Sequence, residues 1–273
     1  MSTLQDPGRA GSAASGVPQS GPMDLDSFLL ANHLMRREPE AACLEIYMGG
    51  LEMIFSASTQ LVFTGAVGKV RCQGHLFAAN QVINVRKNDR LTLSPPGAGQ
   101  WAYMAINGTF QAEKILGSQS FYRGITPEEK FSNNDQLDFM PGRRFIPDDQ
   151  ARVKPQNFPE EQCLRAYPGP SFSLLPEKAQ QIIQQHAFTL SNSQSRMGIQ
   201  LEEIVDNDLK ELISAPVYPG TVQLTPSGKM IVLMRDAQVT GGYHRLLQID
   251  RASISKLAQI RPAGKIRFAV ETP

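Results

Sequence analysis

The chain lacks an excess of charge of either sign and lacks a long apolar run. Its 273 residues carry 27 Lys and Arg against 26 Asp and Glu, a formal net charge of +1. Binding to a phosphate backbone needs a basic surface, so we expect no nucleic-acid partner. No apolar run approaches the roughly 20 residues that cross a bilayer, so we expect no membrane association. The first residues have neither a basic n-region nor an apolar h-region, so we expect no signal peptide.

Cysteine is also scarce. Cys43, Cys72 and Cys163 are isolated and odd in number, whereas a secreted disulfide framework has an even set at close spacing. We therefore predict buried free thiols in a cytoplasmic protein. No Cys or His has a neighbour at metal-ligand spacing, and we expect no metal site.

The sequence is otherwise typical of a globular protein rich in strands. Hydrophobic residues make up 41% and charged residues 19%, and the length suits two domains of roughly 100–150 residues each. Short runs rich in Val, Ile and Phe end at Gly or Asn-Asp, which indicates consecutive antiparallel strands. We predict a mainly β fold with a few short helices, of barrel or sandwich type. Pro, Asn, Asp and Arg dominate 123–160, so we divide the chain into domains at 1–150 and 151–273.

Local signals predict several elements. Residues 1–24 are dense in Gly, Ser, Pro and Ala and are predicted to form a loop. A helix is expected to begin after Asp24, a suitable N-cap. Ser227-Gly228 is predicted as a hairpin turn, and KIRFAV is predicted as the last strand.

Three motifs contain residues suited to ligand chemistry. The first, GVPQSGPMD, alternates Gly and Pro ahead of the predicted helix, whose N-terminus could hold an anion. The alternative is a structural loop in which Asp24 only caps the helix. The second, SQSRMG, presents the planar fork of Arg196, which suits a carboxylate or phosphate. The alternative is an arginine paired with a structural Asp or with backbone carbonyls.

The third motif, RDAQVTGGY, follows the apolar strand MIVLM. Its two glycines would let a ligand approach the backbone, and Asp236 could act as a general base or metal ligand. The alternative is a hairpin turn with an exposed acid. The sequence contains neither a G-x-x-x-x-G-K-[ST] phosphate loop nor a G-x-S-x-G nucleophile elbow.

Taken in order, these motifs identify a resemblance. GVPQSGPMD and ILGSQSFYRG resemble the first half of the allophanate hydrolase subunit 2 family, and LRAYPGP, SRMGIQLE and RDAQVTGGY resemble its second half. The colinear match runs from about Leu4 to Phe268. The resemblance implies two cyclophilin-like β-barrels, which we associate with carboxyltransferase subdomains C and D.

The resemblance also implies a function. It points to the C subunit of an ATP-dependent 5-oxoprolinase, a component of an amidohydrolase that is inactive alone and helps convert 5-oxoproline to glutamate. The implied partners are a B-like protein of the allophanate hydrolase subunit 1 family, an A-like protein of the same complex and the small lactam substrate. The implied cofactor is ATP with Mg²⁺. The alternatives are a carboxyltransferase component that uses biotin on urea or an amide, and a non-catalytic regulator that binds a B-like kinase inhibitor.

The predicted site follows from lactam chemistry, because phosphorylation of the lactam oxygen needs an anion clamp and stabilisation of developing charge. The residues given catalytic roles are Arg196, the anion clamp, with Asp236 and Tyr243. The residues expected to bind substrate or ATP are Ser20, Asp24, Gln238, Thr240, Gly241 and Gly242, the first two from the other domain. The chain departs from the family's usual residues at Ser195, Val239 and His244, where Asp or Asn, Thr and Pro are common.

Overall fold

A computed structural model describes residues 1–147, 153–210 and 212–271. It divides into two compact units: Met1–Arg9 with Asp24–Phe158, and Ala10–Met23 with Pro159–Pro273. The boundary predicted between 150 and 151 lies outside the described residues. Residues 10–23, assigned from the sequence to the first domain, belong to the second unit.

The first unit consists of one helix and short strands. In chain order these are β1 (Ser2–Gln5), α1 (Leu25–Leu34), β2 (Cys43–Tyr47), β3 (Leu51–Ile54), β4 (Thr59–Gly65), β5 (Val70–Cys72), β6 (His75–Phe77), β7 (Ile83–Val85), β8 (Arg90–Leu93), β9 (Trp101–Ile106), β10 (Gly108–Phe110) and β11 (Phe139–Pro141).

Two sheets and a ribbon organise these strands. One sheet has the order β1-β2-β9-β4-β7, the other has the order β3-β8-β5-β6, and β10 pairs with β11. Apolar side chains from both sheets form one core, which includes Leu4, Ile46, Phe63, Val70 and Met104. Burial of these side chains is the main favourable term in the stability of the unit.

The loop prediction for 1–24 is wrong at its start. Ser2–Gln5 form β1, which pairs antiparallel with β2 and is buried throughout. The helix prediction after Asp24 is confirmed, because the Asp24 carboxylate accepts a hydrogen bond from the Ser27 N–H at 3.1 Å and α1 starts at Leu25. The N–H groups of the first helical turn have no acceptor within the helix, and the Asp24 side chain provides one.

The second unit is built around a barrel. Its elements are a 3₁₀ turn (Ser12–Ser15), β12 (Glu161–Pro168), a second 3₁₀ turn (Phe172–Leu174), α2 (Glu177–Gln185), β13 (Phe188–Gln194), β14 (Gly198–Ile204), β15 (Ala215–Pro216), β16 (Thr221–Leu224), β17 (Lys229–Leu233), β18 (Thr240–Gly241), β19 (His244–Ile249), α3 (Arg251–Ala258) and β20 (Lys265–Val270).

Seven of these strands close the barrel in the order β12-β19-β16-β17-β14-β13-β20. The closure is the parallel pairing of β12 with β20, in which Leu164 lies opposite Phe268. Alternate residues of β12, β14, β17 and β20 are buried, as expected for strands with one face towards a core. Strand β20 and the turn at Gly228 (φ 80°) confirm the two local predictions for this unit.

The predicted fold class, mainly β with a few short helices, is confirmed, and the closed barrel is consistent with the implied cyclophilin-like fold. No helix in the described ranges is long and apolar enough to cross a bilayer. The thiols of Cys43, Cys72 and Cys163 are free, as predicted, but Cys163 is exposed rather than buried. The alternation of β12 explains this, because Cys163 is next to the inward-facing Leu164.

Candidate functional site

Pairing between β14 and β17 brings two of the predicted site residues together. The ladder ends with Gly198 opposite Leu233. Beyond this last strand pair the two segments remain hydrogen-bonded, because the Asp236 N–H donates to the Arg196 carbonyl at 2.8 Å. Arg196 and Asp236 therefore lie at the same end of the barrel, although they are far apart in sequence.

The side chains of Arg196 and Asp236 form a two-pronged ion pair. Arg196 Nε lies 2.7 Å from Asp236 Oδ2, and Arg196 Nη2 lies 3.0 Å from Asp236 Oδ1. The side chains are only 10% and 11% exposed. Two parallel charge-assisted bonds of this kind fix the plane of the guanidinium as well as its position.

The loop around Ser20 completes this cluster from within the same unit. Ser20 Oγ donates to Asp236 Oδ1, and the Gly21 carbonyl accepts from Arg196 Nη2 at 2.7 Å. Ser20 has φ 67° and Gly21 has φ 101°. A left-handed conformation costs a serine roughly 1–2 kcal/mol. Strain of this size at a buried polar cluster is a feature of functional sites and of tightly specified turns.

These contacts define what the cluster can do. Asp236 accepts one bond from Ser20 and two from Arg196, and a carboxylate has about four acceptor positions. Little acceptor capacity therefore remains for removing a proton from a ligand. The structural alternative for Arg196, pairing with an acid and a backbone carbonyl, accounts for these bonds. As a unit, the cluster is a charged group held in one orientation, which can position a ligand without reorganising.

Asp24 lies in the other unit and forms a different set of contacts. Its Oδ1 accepts from the Ser27 N–H, and its Oδ2 accepts from Ser27 Oγ at 2.6 Å. Its own N–H donates to the Tyr103 hydroxyl at 2.7 Å, which in turn donates to Glu45 Oε2 at 2.7 Å. Burial, and then the charges of Glu45 and Asp24, hold the pKa of Tyr103 well above its usual value. These contacts agree with the alternative drawn from the sequence, in which Asp24 caps the helix and has no ligand role.

The TGGY segment forms the edge of a small ribbon. Thr240 and Gly241 constitute β18 and pair with Pro216 and Ala215 of β15, which we call the β15–β18 ribbon. Gly242 accepts from the Leu212 N–H at 2.8 Å. In the part of the chain that the structure describes, the half-buried Tyr243 makes no side-chain hydrogen bond. The segment is thus an extra ribbon between β17 and β19 rather than a simple hairpin turn.

Next to this ribbon, the departure at His244 has a structural explanation. Its Nε2 lies 2.7 Å from the Lys210 carbonyl and its Nδ1 lies 3.0 Å from Ser171 Oγ. A carbonyl oxygen can only accept, so Nε2 carries the proton and Nδ1 accepts from the serine when the ring is neutral. A proline at this position could form neither contact, so His244 provides an anchor for the Lys210 segment.

Comparison with known families identifies the chain as a whole. The model of the family described as "Carboxyltransferase domain, subdomain A and B" matches residues 15–270. The chain belongs to this carboxyltransferase-domain family. The subdomains are therefore A and B, and the sequence-based assignment to C and D is wrong.

Two curated relatives match almost the whole chain, and a third matches less than half of it. The 5-oxoprolinase C subunit of Escherichia coli (strain K12) is 32% identical over 272 residues, which cover 97% of this chain and 87% of that protein. The 5-oxoprolinase C subunit of Haemophilus influenzae is 26% identical over 278 residues, with the same coverage of 97% and 87%. Urea amidolyase of Lachancea kluyveri is 34% identical, but over 121 residues that cover 44% of this chain and 7% of that protein.

Solved structures show the same fold. The crystal structure of TTHA0988 superposes with a TM-score of 0.88 at 28% identity, covering 98% of this chain. This chain spans about half of that one, 54% of its length. The Kluyveromyces lactis urea carboxylase has a TM-score of 0.82 at 23% identity, which supports the fold alone.

Gln223 and Arg245, two polar residues beside the predicted site of this carboxyltransferase-domain chain, were not identified from the sequence. A Cβ built on Gly241 would lie 2.6 Å from Gln223 Nε2 and 3.5 Å from Gln238 Nε2. Gln223 faces Arg245 across the pairing of β16 with β19. The available signal was a glutamine within the short strand TVQL, but a polar residue in a strand more often faces solvent.

Proposed function

We propose that this chain is the C subunit of an ATP-dependent 5-oxoprolinase complex, a catalytic component that is inactive without its partners. The observation that carries the proposal is the end-to-end match at 32% identity, 97% of this chain and 87% of the relative, with a 5-oxoprolinase C subunit. The match to the urea amidolyase covers only 7% of that much larger protein. It therefore carries less weight for the activity than the match to the oxoprolinase component.

The chemistry of the reaction assigns roles to the Arg196 cluster. A lactam is a poor electrophile, and its activation places negative charge on the lactam oxygen or on a transferred phosphoryl group. In our proposal the Arg196 guanidinium stabilises that charge. Asp236 and Ser20 hold the guanidinium in place, so they are positioning residues rather than bases. Gln238, Thr240, Gly241 and Gly242 remain predicted ligand contacts, and Tyr243 keeps its predicted catalytic role.

ATP with Mg²⁺ belongs to the proposal as the cofactor of the assembled complex. The described residues contain no group of three His, Cys, Asp or Glu side chains arranged to hold a metal. Mg²⁺ is usually held by phosphates, water and only one or two carboxylates, so such a group is not required of this chain.

The proposed partners are the B-like protein and the A-like protein of the same complex. Two relatives that match almost the whole chain are named as the C subunit of 5-oxoprolinase, a name that implies further subunits. We propose a cytoplasmic location, because the three thiols are free and a reducing compartment keeps them so.

The test is reconstitution of the activity. The chain is co-expressed with the A-like and B-like proteins, and glutamate release from 5-oxoproline is followed with and without ATP. ATP-dependent release that is lost when this chain is omitted supports the proposal. An assembled complex without such release rejects it, and tight association without turnover would favour the regulatory alternative.

A residue-level test uses two arginines, each paired with an acid. Arg196→Lys keeps the charge but loses the planar fork, and we expect turnover to fall about a hundredfold or more, as for loss of a preorganised donor. The control is Arg267→Lys, because Arg267 pairs with Glu161 on the surface, with the two side chains 50% and 52% exposed. Equal turnover in the two variants would remove Arg196 from the proposed site.

The second candidate is a carboxyltransferase component, which the family description and the urea amidolyase relatives favour. It predicts carboxyl transfer from carboxybiotin to urea or a related amide. That activity, measured with free carboxybiotin as donor and without ATP, would replace the first proposal.

A further inference from the structure

Two buried donor atoms on neighbouring barrel strands have no acceptor among the residues that the structure describes. Gln223 in β16 is 1% exposed, and its Nε2 makes no hydrogen bond to any described residue. Arg245 in β19 has a buried Nε that also makes no hydrogen bond to any described residue. Most buried polar groups in native proteins are hydrogen-bonded, so two such atoms on paired residues need an explanation.

A β-bulge brings these two residues face to face. The β16–β19 register changes between Val222, which pairs with Leu247, and Gln223, which pairs with Arg245. Without this shift Gln223 would lie opposite Leu246. The bulge therefore replaces an apolar neighbour with a guanidinium, and residues directly opposite in a ladder have side chains close enough to interact.

The charge of Arg245 is not balanced nearby. The only hydrogen bond of its side chain to the described residues runs from Nη1 to the Pro216 carbonyl at 3.0 Å. No acid of the described chain lies within ion-pair distance of it. A cation and a carboxamide on directly opposite residues, each with an N–H group that has no acceptor in the described chain, are complementary to an anionic oxygen, which only accepts.

The β15–β18 ribbon lies over this pair. Gly241 of the ribbon leaves room for Gln223, since a Cβ there would meet Gln223 Nε2 at 2.6 Å. Pro216 of the ribbon accepts the bond from Arg245. The ribbon has only two residue pairs, Ala215 with Gly241 and Pro216 with Thr240. A ribbon of this size has few hydrogen bonds to break when it moves.

We propose that Gln223 and Arg245 form a binding site for an anionic oxygen of a carboxylate or a phosphate, closed in this structure by the β15–β18 ribbon. The ligand oxygen accepts from Gln223 Nε2 and from Arg245 Nε after the ribbon lifts. The inference is independent of the proposed function, because it concerns binding to the chain alone and requires neither turnover nor partners.

The first test compares two glutamines of the same barrel. Gln223→Met removes a donor without an acceptor, so we expect the melting temperature in anion-poor buffer to stay the same or to rise by about 2–4 °C. Gln248→Met is the matched control, since Gln248 Nε2 donates to Pro219 at 2.9 Å and its Oε1 accepts from Thr221. That variant should lower the melting temperature. An equal drop for Gln223→Met would mean that its amide is satisfied within the fold, and the proposal would be rejected.

The second test measures ligand response. The melting temperature of the full chain is followed with 5-oxoproline, acetate or inorganic phosphate, each against sodium chloride at equal ionic strength. A ligand that binds only the folded chain raises the melting temperature. We expect the rise in the wild type and in Gln248→Met, and its loss in Gln223→Met and Arg245→Met.

The three ligands distinguish the possible sources of the oxygen. A response to 5-oxoproline and acetate assigns the site to a carboxylate, and a response to phosphate alone assigns it to a phosphate group. No response in the wild type shows that these anions do not bind at the two donors, and a response retained in Gln223→Met or in Arg245→Met shows that they bind elsewhere on the chain. Either result would overturn the proposal.

Discussion

The ion pair of Arg196 and Asp236 allows a quantitative test of the candidate site. We consider Arg196→Met, which has a similar length and no charge, Asp236→Asn, which keeps the shape, and the double variant. Each single change leaves one nearly buried charge without its partner, a change that costs about 3–5 kcal/mol. The low exposure of 10% and 11% leaves little solvent to screen the remaining charge.

The double variant should cost less than the sum of the two single variants. Opposite charges about 4 Å apart attract by about 4 kcal/mol at an effective dielectric constant of about 20. The loss of this attraction contributes to the destabilisation of both single variants and is therefore counted twice in their sum. In the double variant it is counted once, and no charge is left unpaired. We therefore expect a coupling free energy of about 3 kcal/mol from the cycle.

The assay must report on the second unit. The one tryptophan of the chain, Trp101, lies in the first unit, so its fluorescence is a poor probe of the pair. Urea unfolding followed by circular dichroism, with hydrogen exchange of peptides from β14 and β17, measures the relevant stability. The control cycle uses Arg267 and Glu161, where an exposed pair should give about 0.2–1 kcal/mol.

Additive effects would contradict this reasoning. If the free energies of the single variants sum to that of the double variant within about 0.5 kcal/mol, the two side chains do not interact as a buried pair. Arg196 would then be available as an independent anion clamp, and the assignment of Asp236 as a positioning residue would fail.

Two further predictions concern the first unit. Burial, opposed by the charge of Arg37, raises the pKa of the Cys43 thiol from 9.0 to about 12. Between pH 9 and about 12 the Cys43 thiol is ionised in the unfolded chain but still protonated in the folded one, which favours unfolding. The free energy of unfolding is therefore unaffected below pH 9 and falls by about 4 kcal/mol in total as the pH rises towards about 12. Urea unfolding at increasing pH should show this loss in Cys163→Ala but not in Cys43→Ala, and identical curves would refute it. Gly68→Ala should destabilise the unit by about 1–3 kcal/mol, because its Cβ would overlap the Ser94 carbonyl oxygen, whereas the Cβ of Gly97→Ala meets no atom within 4 Å. Equal melting temperatures for the two alanine variants would contradict the close packing at Gly68.

Local elements with strong sequence signals were predicted well. The cap at Asp24, the turn at Gly228 and the strand KIRFAV depend on residues within a few positions of each other. β1 was missed because four residues next to a Gly-rich stretch form a strand only through pairing with β2, about 40 residues later. Such pairing leaves no pattern in the short segment itself.

The candidate site shows the same division. Residue type alone made Arg196 and Asp236 candidates for ligand chemistry, and the colinear motifs indicated the family. Only the tertiary structure showed that they hold each other, with Ser20 of the same unit as the third member. The chemical interpretation changed as a result, from a free clamp and base to one oriented cluster.

The sequence by itself therefore determined the strand-rich class, the helix cap and the family, because periodicity, capping and motif order are properties of neighbouring residues. The tertiary structure decided which polar side chains lose contact with water. Gln223 appears in the sequence as one polar residue in a strand, and a bulge in the β16–β19 ladder and the β15–β18 ribbon make it a buried donor beside Arg245. Burial of this kind depends on contacts between distant segments, and no local pattern encodes it.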